Sequence, residues 1–405
     1  MSATRVAIVG GGIVGTSCAY FLARSGADVT LFEQEEVAYG ASGRNPGFVW
    51  LHTRNPGFGR EAGLAGRALY DELVRDLPLD FEFRPSGGII FYLTEQQGVV
   101  MRDFVAAVNA DGFPMEHIDG AEVRRLVPPI REDVLGATHC PIDAHINTPL
   151  LVRSLAEGAR REGATIREHT PVSRILMDGE RAVGVETAAG RFDADVVVLA
   201  AGVWARGLAE STGIDLAVGG ERLQVIATTP QPDVFIEPVV YGPLAAKQYR
   251  LFRELPSWND DHFSEASEDE AGIEMLELLA QRKNGEILLG CAMDYPDTID
   301  LSPTVEGLSR SLEAIVRDFP GLRGVGVDRV WAGMLPFTTD TAPIIDEARP
   351  GLFLAAGHVY GNAVGPITGQ LISQLVLGEQ PGLDLSEVRF DRALTLPGAG
   401  VATRW

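Results

Sequence analysis

Three glycines and one glutamate near the start of the chain have the types and spacing of a dinucleotide-binding turn. Gly10, Gly12 and Gly15 follow a short apolar run, and Glu33 ends the next apolar run. In such a turn the first glycine permits the tight bend, the second lets a pyrophosphate approach the backbone, and the third lets a helix pack close to the strand. The glutamate would accept hydrogen bonds from a ribose 2′-hydroxyl and would repel a 2′-phosphate. The pattern alone suits NAD as well as FAD and disfavours NADP.

The elements that must position these residues are a strand, a turn, a helix and a second strand. Residues 6–9 and 29–32 are the apolar runs, and the intervening segment has helical composition to about Ser25. The amino terminus of this helix would offer free N–H groups and a positive dipole end to phosphates. The predicted nucleotide site also includes Ile13, Val14 and Gln34.

Two further glycine turns follow buried apolar strands. The first strand, residues 196–200, leads into Ala201-Gly202, and the second leads into a turn at Gly357, Gly361 and Gly365. An apolar-periodic helix is predicted from about Pro366. Glycine turns at the carboxyl ends of parallel strands gather at one crevice of a doubly wound sheet. One cofactor that touches all three turns would explain them together.

Composition bounds the class of protein. The chain has 405 residues, enough for two domains, and its net charge of −22 argues against a nucleic-acid partner. Its three cysteines are too few and too scattered for a disulfide framework or a metal site. No apolar run is long enough to span a bilayer, and the first turn lies too close to residue 1 to leave room for a signal peptide. We therefore expect a cytoplasmic protein with no transmembrane segment and no metal.

The segments between these turns predict a second domain built on an antiparallel sheet. Strand-like composition marks residues 81–93, 221–229, 286–293 and 326–337. Helices are predicted near 60–76, 95–111, 148–162, 267–282 and 304–318. The acidic segment 260–270 is interpreted as a solvated loop, with a docking site for a basic partner as the alternative.

Five motifs in order carry a family resemblance. Besides the first turn they are GASGRNPG at 40–47, VVVLAAGVWA at 196–205, WAGMLPFTTDTAPIID at 331–346 and AAGHVYGNAVGP at 355–366. The chain resembles the D-amino-acid-oxidase-like family of FAD-dependent enzymes, which includes glycine oxidase, sarcosine oxidase, D-amino-acid dehydrogenases and the β subunits of opine and proline dehydrogenases.

The resemblance implies an α/β fold in which a glutathione-reductase-type Rossmann domain binds FAD and an inserted antiparallel-sheet domain binds substrate. We expect a discontinuous FAD-binding domain of residues 1–80, 145–215 and 325–405. Residues 81–144 and 216–324 would form the substrate-binding domain.

The resemblance also implies which residues hold FAD. Those beyond the first turn are Ser42, Gly43, Arg44, Asn45, Val172, Ala201, Gly202, Trp204, Gly333, Gly357, His358, Gly361, Asn362, Ala363 and Val364. Relatives that attach flavin covalently use a histidine in the 40–47 motif or a cysteine near 331–337. This chain has neither, so noncovalent FAD is expected.

The family chemistry is oxidation of a C–N bond, with hydride transfer to the flavin and hydrolysis of the product imine. The expected substrate is an amino acid or a secondary amine. Two alternatives remain. A 2-hydroxy acid would need a base for its hydroxyl proton, for which His52 and His358 are candidates. A flavin subunit of a larger assembly is the second alternative, and an oligomer or partner subunit is left open.

One residue expected near the substrate differs from the residue that many amino-acid-oxidising relatives carry there. Leu335 stands where they carry the arginine that clamps the substrate carboxylate. Arg54, with His52 beside it, is the predicted replacement, and Tyr249 is the predicted substrate-contacting tyrosine. Asp294 would suit a second cationic group on the substrate, although a role in the turn before Tyr295 is the simpler interpretation.

The electron acceptor is the least determined feature. Oxidases often place a lysine over the flavin to activate oxygen, and no lysine in this sequence can be assigned to that place; Lys283 precedes a turn at 284–285. This slightly favours a dehydrogenase over an oxidase.

Overall fold

The computed structural model describes residues 3–264, 272–392 and 394. Its strands are β1 (Arg5–Val9), β2 (Asp28–Phe32), β3 (Phe48–Val49), β4 (Gly88–Tyr92), β5 (Glu116–Asp119), β6 (Gly136–Cys140), β7 (Ala144–His145), β8 (Thr165–Arg167), β9 (Val172–Asp178), β10 (Arg181–Thr187), β11 (Gly190–Asp193), β12 (Val196–Leu199), β13 (Gly219–Thr228), β14 (Val239–Tyr241), β15 (Glu274–Gln281), β16 (Ile287–Asp294), β17 (Val327–Phe337), β18 (Ile344–Arg349) and β19 (Leu352–Ala356).

Helices follow the glycine turns and cover the sheets. They are α1 (Ile13–Arg24), α2 (Ala41–Arg44), α3 (Phe58–Asp76), α4 (Glu95–Ala110), α5 (Gly120–Leu126), α6 (Thr148–Arg161), α7 (Ala205–Ala209), α8 (Arg250–Arg253), α9 (Val305–Asp318) and α10 (Gly361–Val376). Among the described residues, no helix is both long and apolar enough to cross a membrane.

A six-stranded sheet with the order β18-β19-β12-β1-β2-β8 forms the Rossmann part of the molecule. All neighbours are parallel except β18, which pairs antiparallel with β19. Val6 of β1 is the Cα partner of both Val29 and Val196. The last four residues of β1 and all of β12 are buried, because elements cover both faces of the sheet. This arrangement brings the three glycine turns to one edge, as the sequence predicts.

An eight-stranded, mainly antiparallel sheet forms the second part, with the order β17-β13-β16-β15-β14-β4-β6-β5. One face packs on α5 and α9 through residues such as Ile226, Leu289 and Phe319. The opposite face carries Leu223, Tyr241 and Leu278 toward the glycine turns. A three-stranded sheet β11-β10-β9 and the two-stranded pair β3-β7 complete the fold.

The strand pairing supports a division of the chain close to the predicted one. Strands of the six-stranded sheet come from three separate stretches of sequence, and the eight-stranded sheet interrupts them twice. The boundary expected at 325 assigns β17 to the FAD-binding part, whereas β17 pairs along its length with β13. We therefore propose that the substrate-binding part extends to Phe337.

The helix predicted over 267–282 is wrong where the structure describes it. Residues 274–281 form β15, a strand with neighbours on both sides and seven consecutive buried residues. A strand buried on both faces has no apolar–polar alternation, so its composition resembles that of a buried helix. Residues 267–271, and residues 265–270 of the acidic segment, lie outside the described residues.

Helix α10 begins earlier than predicted, at Gly361, so that Pro366 lies inside it. Proline has no N–H, and the carbonyl one turn earlier, that of Asn362, therefore has no helical donor. The hydroxyl of Tyr70 on α3 donates to this carbonyl at 2.6 Å. The helix tolerates the proline because a neighbouring helix supplies the missing hydrogen bond.

Candidate cofactor and substrate site

A long cleft runs along the carboxyl edge of the six-stranded sheet and continues under the eight-stranded sheet. Its empty volume, including space open to solvent, is about 1570 Å³. Residues of both sheets line it, so a ligand in the cleft would contact both parts of the fold.

The first glycine turn lies at one end of the cleft. Gly10, Gly12, Ile13 and Val14 line it. Gly10 has φ +112°, and a Cβ on Gly15 would lie 1.9 Å from the carbonyl oxygen of Gly10, so neither position accepts a larger residue without movement. Gly15 itself packs beneath the turn and does not line the cleft.

Glu33 and Gln34 line the same end. Glu33 Oε2 accepts from the backbone N–H of Gly11 at 2.6 Å, and Oε1 accepts from the N–H of Glu35 at 3.0 Å. Burial raises the pKa of Glu33, while these backbone donors lower it. The carboxylate is thus held beside the glycine turn, on the wall of the cleft. Val172, at the start of β9, lines the cleft nearby.

The segment after Gly40 forms the middle of the wall. Ser42 and Asn45 line the cleft, and Ser42 Oγ accepts from the N–H of Ile13 at 2.9 Å. Asn45 Oδ1 accepts from Thr148 at 2.9 Å and from Asn362 Nδ2 at 3.0 Å. The network joins this segment to the amino terminus of α10.

Gly43, Arg44 and Gly333 lie behind the wall instead of lining it. Arg44 donates to the carbonyls of Tyr39 at 2.9 Å and Ala332 at 3.2 Å. A Cβ on Gly333 would lie 2.9 Å from the Cβ of Arg44. In this structure Arg44 fastens α2 to β17 through backbone carbonyls.

The second and third glycine turns meet the cleft as expected. Lining residues from these turns are Ala201, Gly202, Trp204, Gly357, His358, Gly361, Asn362 and Ala363. Val364 is buried within α10 and does not line the cleft. The Nε2 of His358 lies 2.9 Å from the hydroxyl of Thr368, and burial lowers the pKa of His358 to about 3.

Aromatic side chains surround the other end of the cleft. Trp50 and Tyr241 pack edge-to-face with ring centroids 4.6 Å apart, and Tyr249 and Tyr360 lie on the same wall. Burial raises the pKa of Tyr249, so its hydroxyl stays protonated. Leu335, at the position where many relatives carry a carboxylate-binding arginine, also lines this aromatic end of the cleft.

Arg54 lies directly behind this aromatic wall. Its side chain is buried, its guanidinium stacks on the ring of Tyr360, and its Nη2 donates to Thr53 Oγ1 at 3.2 Å. Its Nε and Nη1 have no hydrogen-bond partner among the described residues. Burial lowers the pKa of Arg54, as expected for a desolvated cation. Buried donors of this kind indicate a missing acceptor.

His52 does not line the cleft. Its ring stacks on Trp50 with centroids 4.6 Å apart, and its Nε2 lies 2.7 Å from Thr138 Oγ1. Its Nδ1 lies 3.3 Å from Asp143 Oδ2, and burial lowers the pKa of His52. The imidazole packs behind Trp50, so any effect on a substrate passes through its neighbours.

His52, Cys140 and Asp143 bring ligand-type atoms within 4.8 Å of one another. The sequence analysis did not identify this cluster, because His52 is far from Cys140 and Asp143 in the sequence. All three side chains are buried. Within the cluster, His52 Nδ1 and Asp143 Oδ2 face each other at 3.3 Å.

Sequence reasoning missed several residues at the substrate end. The cleft residues that it did not select include Phe48, Leu223, Tyr241, Leu276, Leu278 and Tyr360. Tyr360 lies inside a recognised motif, which was a usable signal. Leu276 and Leu278 were assigned to a helix, so their position on the cleft could not be inferred.

A sequence model described as FAD dependent oxidoreductase (DAO) matches residues 5–375. The chain belongs to the DAO family of FAD-dependent oxidoreductases. It is 28% identical over 393 residues to glycine oxidase of Bacillus licheniformis, with 92% of each chain covered. It is 26% identical to hydrogen cyanide synthase subunit HcnC of Pseudomonas protegens, with 97% of each covered.

The fold of the chain is similar to that of the crystal structure of glycine oxidase from Geobacillus kaustophilus. The TM-score is 0.82 at 24% identity, covering 97% of this chain and all of the other. This similarity confirms the predicted α/β fold class, and the match of the family model confirms the family resemblance. The cofactor of this DAO-family chain is FAD.

The residues of this chain fit that cofactor. The amino termini of α1 and α10 both reach the cleft. The N-cap residue of neither helix caps it with its own side chain, and Ser42 Oγ accepts from one N–H of α1, that of Ile13. Uncapped helix amino termini bind anions through free N–H groups. Gly10, Gly12 and Glu33 would hold the adenosine and pyrophosphate end. The residues from Gly357 to Ala363 would hold the flavin end.

Proposed function

We propose that this DAO-family enzyme oxidises the C–N bond of an amino acid or a secondary amine. The observation that carries the proposal is the aromatic end of the cleft with the buried, incompletely partnered Arg54 behind it. When bound, FAD would accept a hydride equivalent from the substrate carbon. The chain would supply the position and the electrostatics for that step.

Arg54 supplies the positive charge that a substrate carboxylate needs. Its Nε and Nη1 nitrogens have no hydrogen-bond partner among the described residues, and a buried cation without a counterion is costly, so a carboxylate that reaches it would be bound strongly. Tyr360 contacts the guanidinium and also lines the cleft, and therefore connects Arg54 with the space for substrate. This arrangement would replace the arginine that relatives carry at the position of Leu335.

The cleft favours an amine over a 2-hydroxy acid. An amine lone pair stabilises the developing iminium, whereas a hydroxyl requires a base for its proton. His52 is packed behind Trp50, and His358, with its pKa lowered to about 3, is a weak base. Neither histidine supports the hydroxy-acid alternative.

For the acceptor, we propose a dehydrogenase that passes electrons to a molecule other than oxygen. The sequence contains two lysines, Lys247 and Lys283. Neither lines the cleft, and the ammonium group of Lys283 lies 2.8 Å from Asp80 Oδ2, away from the cleft. The name of the relative HcnC also supports a role as one subunit of an assembly.

Anaerobic reduction of the flavin tests the proposal. The purified holoenzyme would be mixed without oxygen with D- and L-amino acids, N-methyl amino acids, amines without a carboxylate, and 2-hydroxy acids. We expect bleaching by amines or amino acids. Bleaching by hydroxy acids alone would overturn the proposal, and no bleaching until a partner is added would favour the subunit role.

The substitution Arg54→Gln tests the carboxylate anchor. Loss of a charged hydrogen bond of about 1.5–3 kcal/mol should lower kcat/KM for a carboxylate substrate roughly 10- to 100-fold. Activity toward an amine without a carboxylate should change much less. Arg67→Gln is the matched control, because Arg67 also stacks on an aromatic ring, that of Phe83, but lies outside the cleft. Equal losses for both substrate classes would exclude Arg54 as the anchor.

A further inference from the structure

The eight-stranded sheet presents a group of leucines to the substrate end of the cleft. Leu223 of β13, Leu276 and Leu278 of β15, and Leu335 of β17 all line the cleft. Tyr241 of β14, the Cα partner of Leu278, lines it as well. Because these strands belong to one sheet, the leucines form a single apolar surface. Leu223 and Leu335 are only partly buried, so a ligand can still cover part of their apolar area.

Charged residues of the same strands are paired away from the cleft. Arg222 on β13 donates to Asp294 at 2.9 and 2.5 Å, and Glu277 on β15 accepts from Arg317 of α9 at 2.7 Å. Successive side chains of a strand point to opposite faces, so the leucines and these charges are separated by the sheet. Asp294, which the sequence suggested for a cationic group on the substrate, is paired with Arg222 and does not line the cleft.

The carboxylate of Glu221 does not change the apolar character of this surface. Glu221 is buried on β13, its Oε1 accepts from the hydroxyl of Tyr295 at 2.8 Å, and it does not line the cleft. Among the described residues that line the cleft, Glu33 is the one carboxylate, and it lies at the nucleotide end. No lysine or arginine of the described chain lines the cleft, and His358, with its pKa lowered to about 3, is neutral.

The tyrosine hydroxyls at the substrate end already have protein partners. The hydroxyl of Tyr249 interacts with Thr53 and Tyr241, and that of Tyr360 interacts with Arg54. The polar groups are therefore concentrated around Arg54, and the leucines offer none. A polar or charged group placed against the leucines would lose water without gaining hydrogen bonds, which is costly.

We propose that the substrate is an amino acid, or an N-alkyl amino acid, with an aliphatic side chain that packs against Leu223 and Leu335. This assignment rests on the proposed function, with the substrate carboxylate on the Arg54 side. Burial of methylene groups on the leucines would favour a longer aliphatic chain. Leu335 stands where many relatives carry an arginine, so the residue that removes the usual carboxylate clamp also completes the apolar surface.

Substrates with matched side chains test this class in the holoenzyme. Alanine, 2-aminobutanoate and norvaline add one methylene at a time, whereas leucine and asparagine have nearly the same shape and differ in polarity. The measurement is the second-order rate constant of anaerobic flavin reduction, in both configurations. It should rise roughly 4-fold per methylene. It should favour leucine over asparagine by roughly 10-fold or more.

Leu223→Asn and Leu335→Asn test whether this surface sets the preference. Each substitution places an amide on the surface with little change in shape, and should reduce the preference for leucine over asparagine by roughly 3-fold or more. Leu308→Asn is the matched control, because Leu308 of α9 packs on the opposite face of the sheet, and it should leave the ratio unchanged. Since the readout is a ratio of two substrates on one protein, a general loss of stability does not alter it.

Binding without turnover keeps the proposal testable if both variants fail to fold. Acetate, butanoate and hexanoate, which lack the amino group, would be titrated calorimetrically into the wild-type holoenzyme. Kd should fall as the chain lengthens, and hexanoate should bind more tightly than 6-aminohexanoate. An affinity independent of chain length, equal rates for leucine and asparagine, or a preference that survives in both folded variants would overturn the assignment. If no amine or amino acid reduces the flavin, the proposed function fails, whereas the binding series still decides whether the surface selects apolar chains.

Discussion

Asp143 fixes the backbone of the segment that carries Arg54. Its Oδ1 accepts from the backbone N–H of Leu51 at 2.6 Å and of His52 at 3.2 Å, while Oδ2 faces the His52 ring. The segment then continues to Thr53, whose hydroxyl accepts from Trp50 Nε1 at 2.9 Å and from Arg54. The position of Arg54 therefore depends on a carboxylate that does not line the cleft.

Asp143→Asn should impair substrate binding without weakening the binding of FAD. The amide can accept only through its oxygen, so the contact with the His52 ring or the backbone donors is lost. We expect kcat/KM for carboxylate substrates to fall several-fold, in the same direction as in Arg54→Gln, with little change for an amine without a carboxylate. Steady-state kinetics and FAD titration check this. A uniform loss across substrates would indicate a general folding defect.

At the residue scale, the sequence predicted the cofactor end better than the substrate end. Gly10 and Gly15 could be assigned because their roles depend on local backbone geometry. The position of His52, which was predicted beside the substrate, could not be foreseen, because its surroundings are made by distant strands. Its burial behind Trp50 exists only after the sheets have formed.

At the element scale, α10 depends on the hydrogen bond between Tyr70 and Asn362. Tyr70→Phe removes this bond and leaves a buried carbonyl without its donor, which should cost about 1–2 kcal/mol of unfolding free energy. Pro366→Ala supplies a helical N–H to the same carbonyl. In that background the cost of Tyr70→Phe should be clearly smaller.

A double-mutant cycle measured by denaturant unfolding checks this coupling. The cycle compares the wild type, the two single variants and the double variant, all with FAD bound. Additive effects of the two substitutions would show that the tyrosine hydroxyl does not replace the missing helical bond.

Helix α9 and strand β15 show where hydrophobic periodicity predicts secondary structure correctly and where it does not. Helix α9 was predicted within about a residue because one of its faces is polar. Strand β15 was mistaken for a helix because both of its faces are covered, and its seven buried residues show no period. Its neighbours in the sheet, β14 and β16, determine its conformation, and a local sequence window contains only part of that information.

At the scale of the whole molecule, the FAD should be released intact by denaturation. The three cysteines are buried, and none of them lines the cleft. The histidine that lines it, His358, lies within hydrogen-bond distance of Thr368. Acid precipitation should therefore leave the yellow colour in the supernatant. Flavin that stays with the pellet after washing would contradict the expectation of noncovalent binding.

The stability of the molecule should fall as the pH decreases below about 6.5. Burial, followed by the charges of Arg84 and Arg282, lowers the pKa of His145 to about 3. Above pH 6.5 this histidine is neutral in both the folded and the unfolded chain, so it adds no pH dependence. Between 6.5 and 3 the unfolded chain binds the proton and the folded chain does not, which favours unfolding. At pH 5 the loss is about 2 kcal/mol relative to pH 8.

His145→Gln tests this origin of acid sensitivity. The glutamine amide can still donate to the carbonyl of Pro46, which lies 3.1 Å from His145 Nε2, but it does not titrate. Denaturant unfolding of the FAD-loaded variant should therefore depend less steeply on pH between 5 and 7, whatever its stability at pH 8. His169→Gln, at an exposed position, is the control and should keep the wild-type slope. An unchanged slope in His145→Gln would mean that other groups, such as the buried His52 and His358, carry the acid sensitivity of the fold.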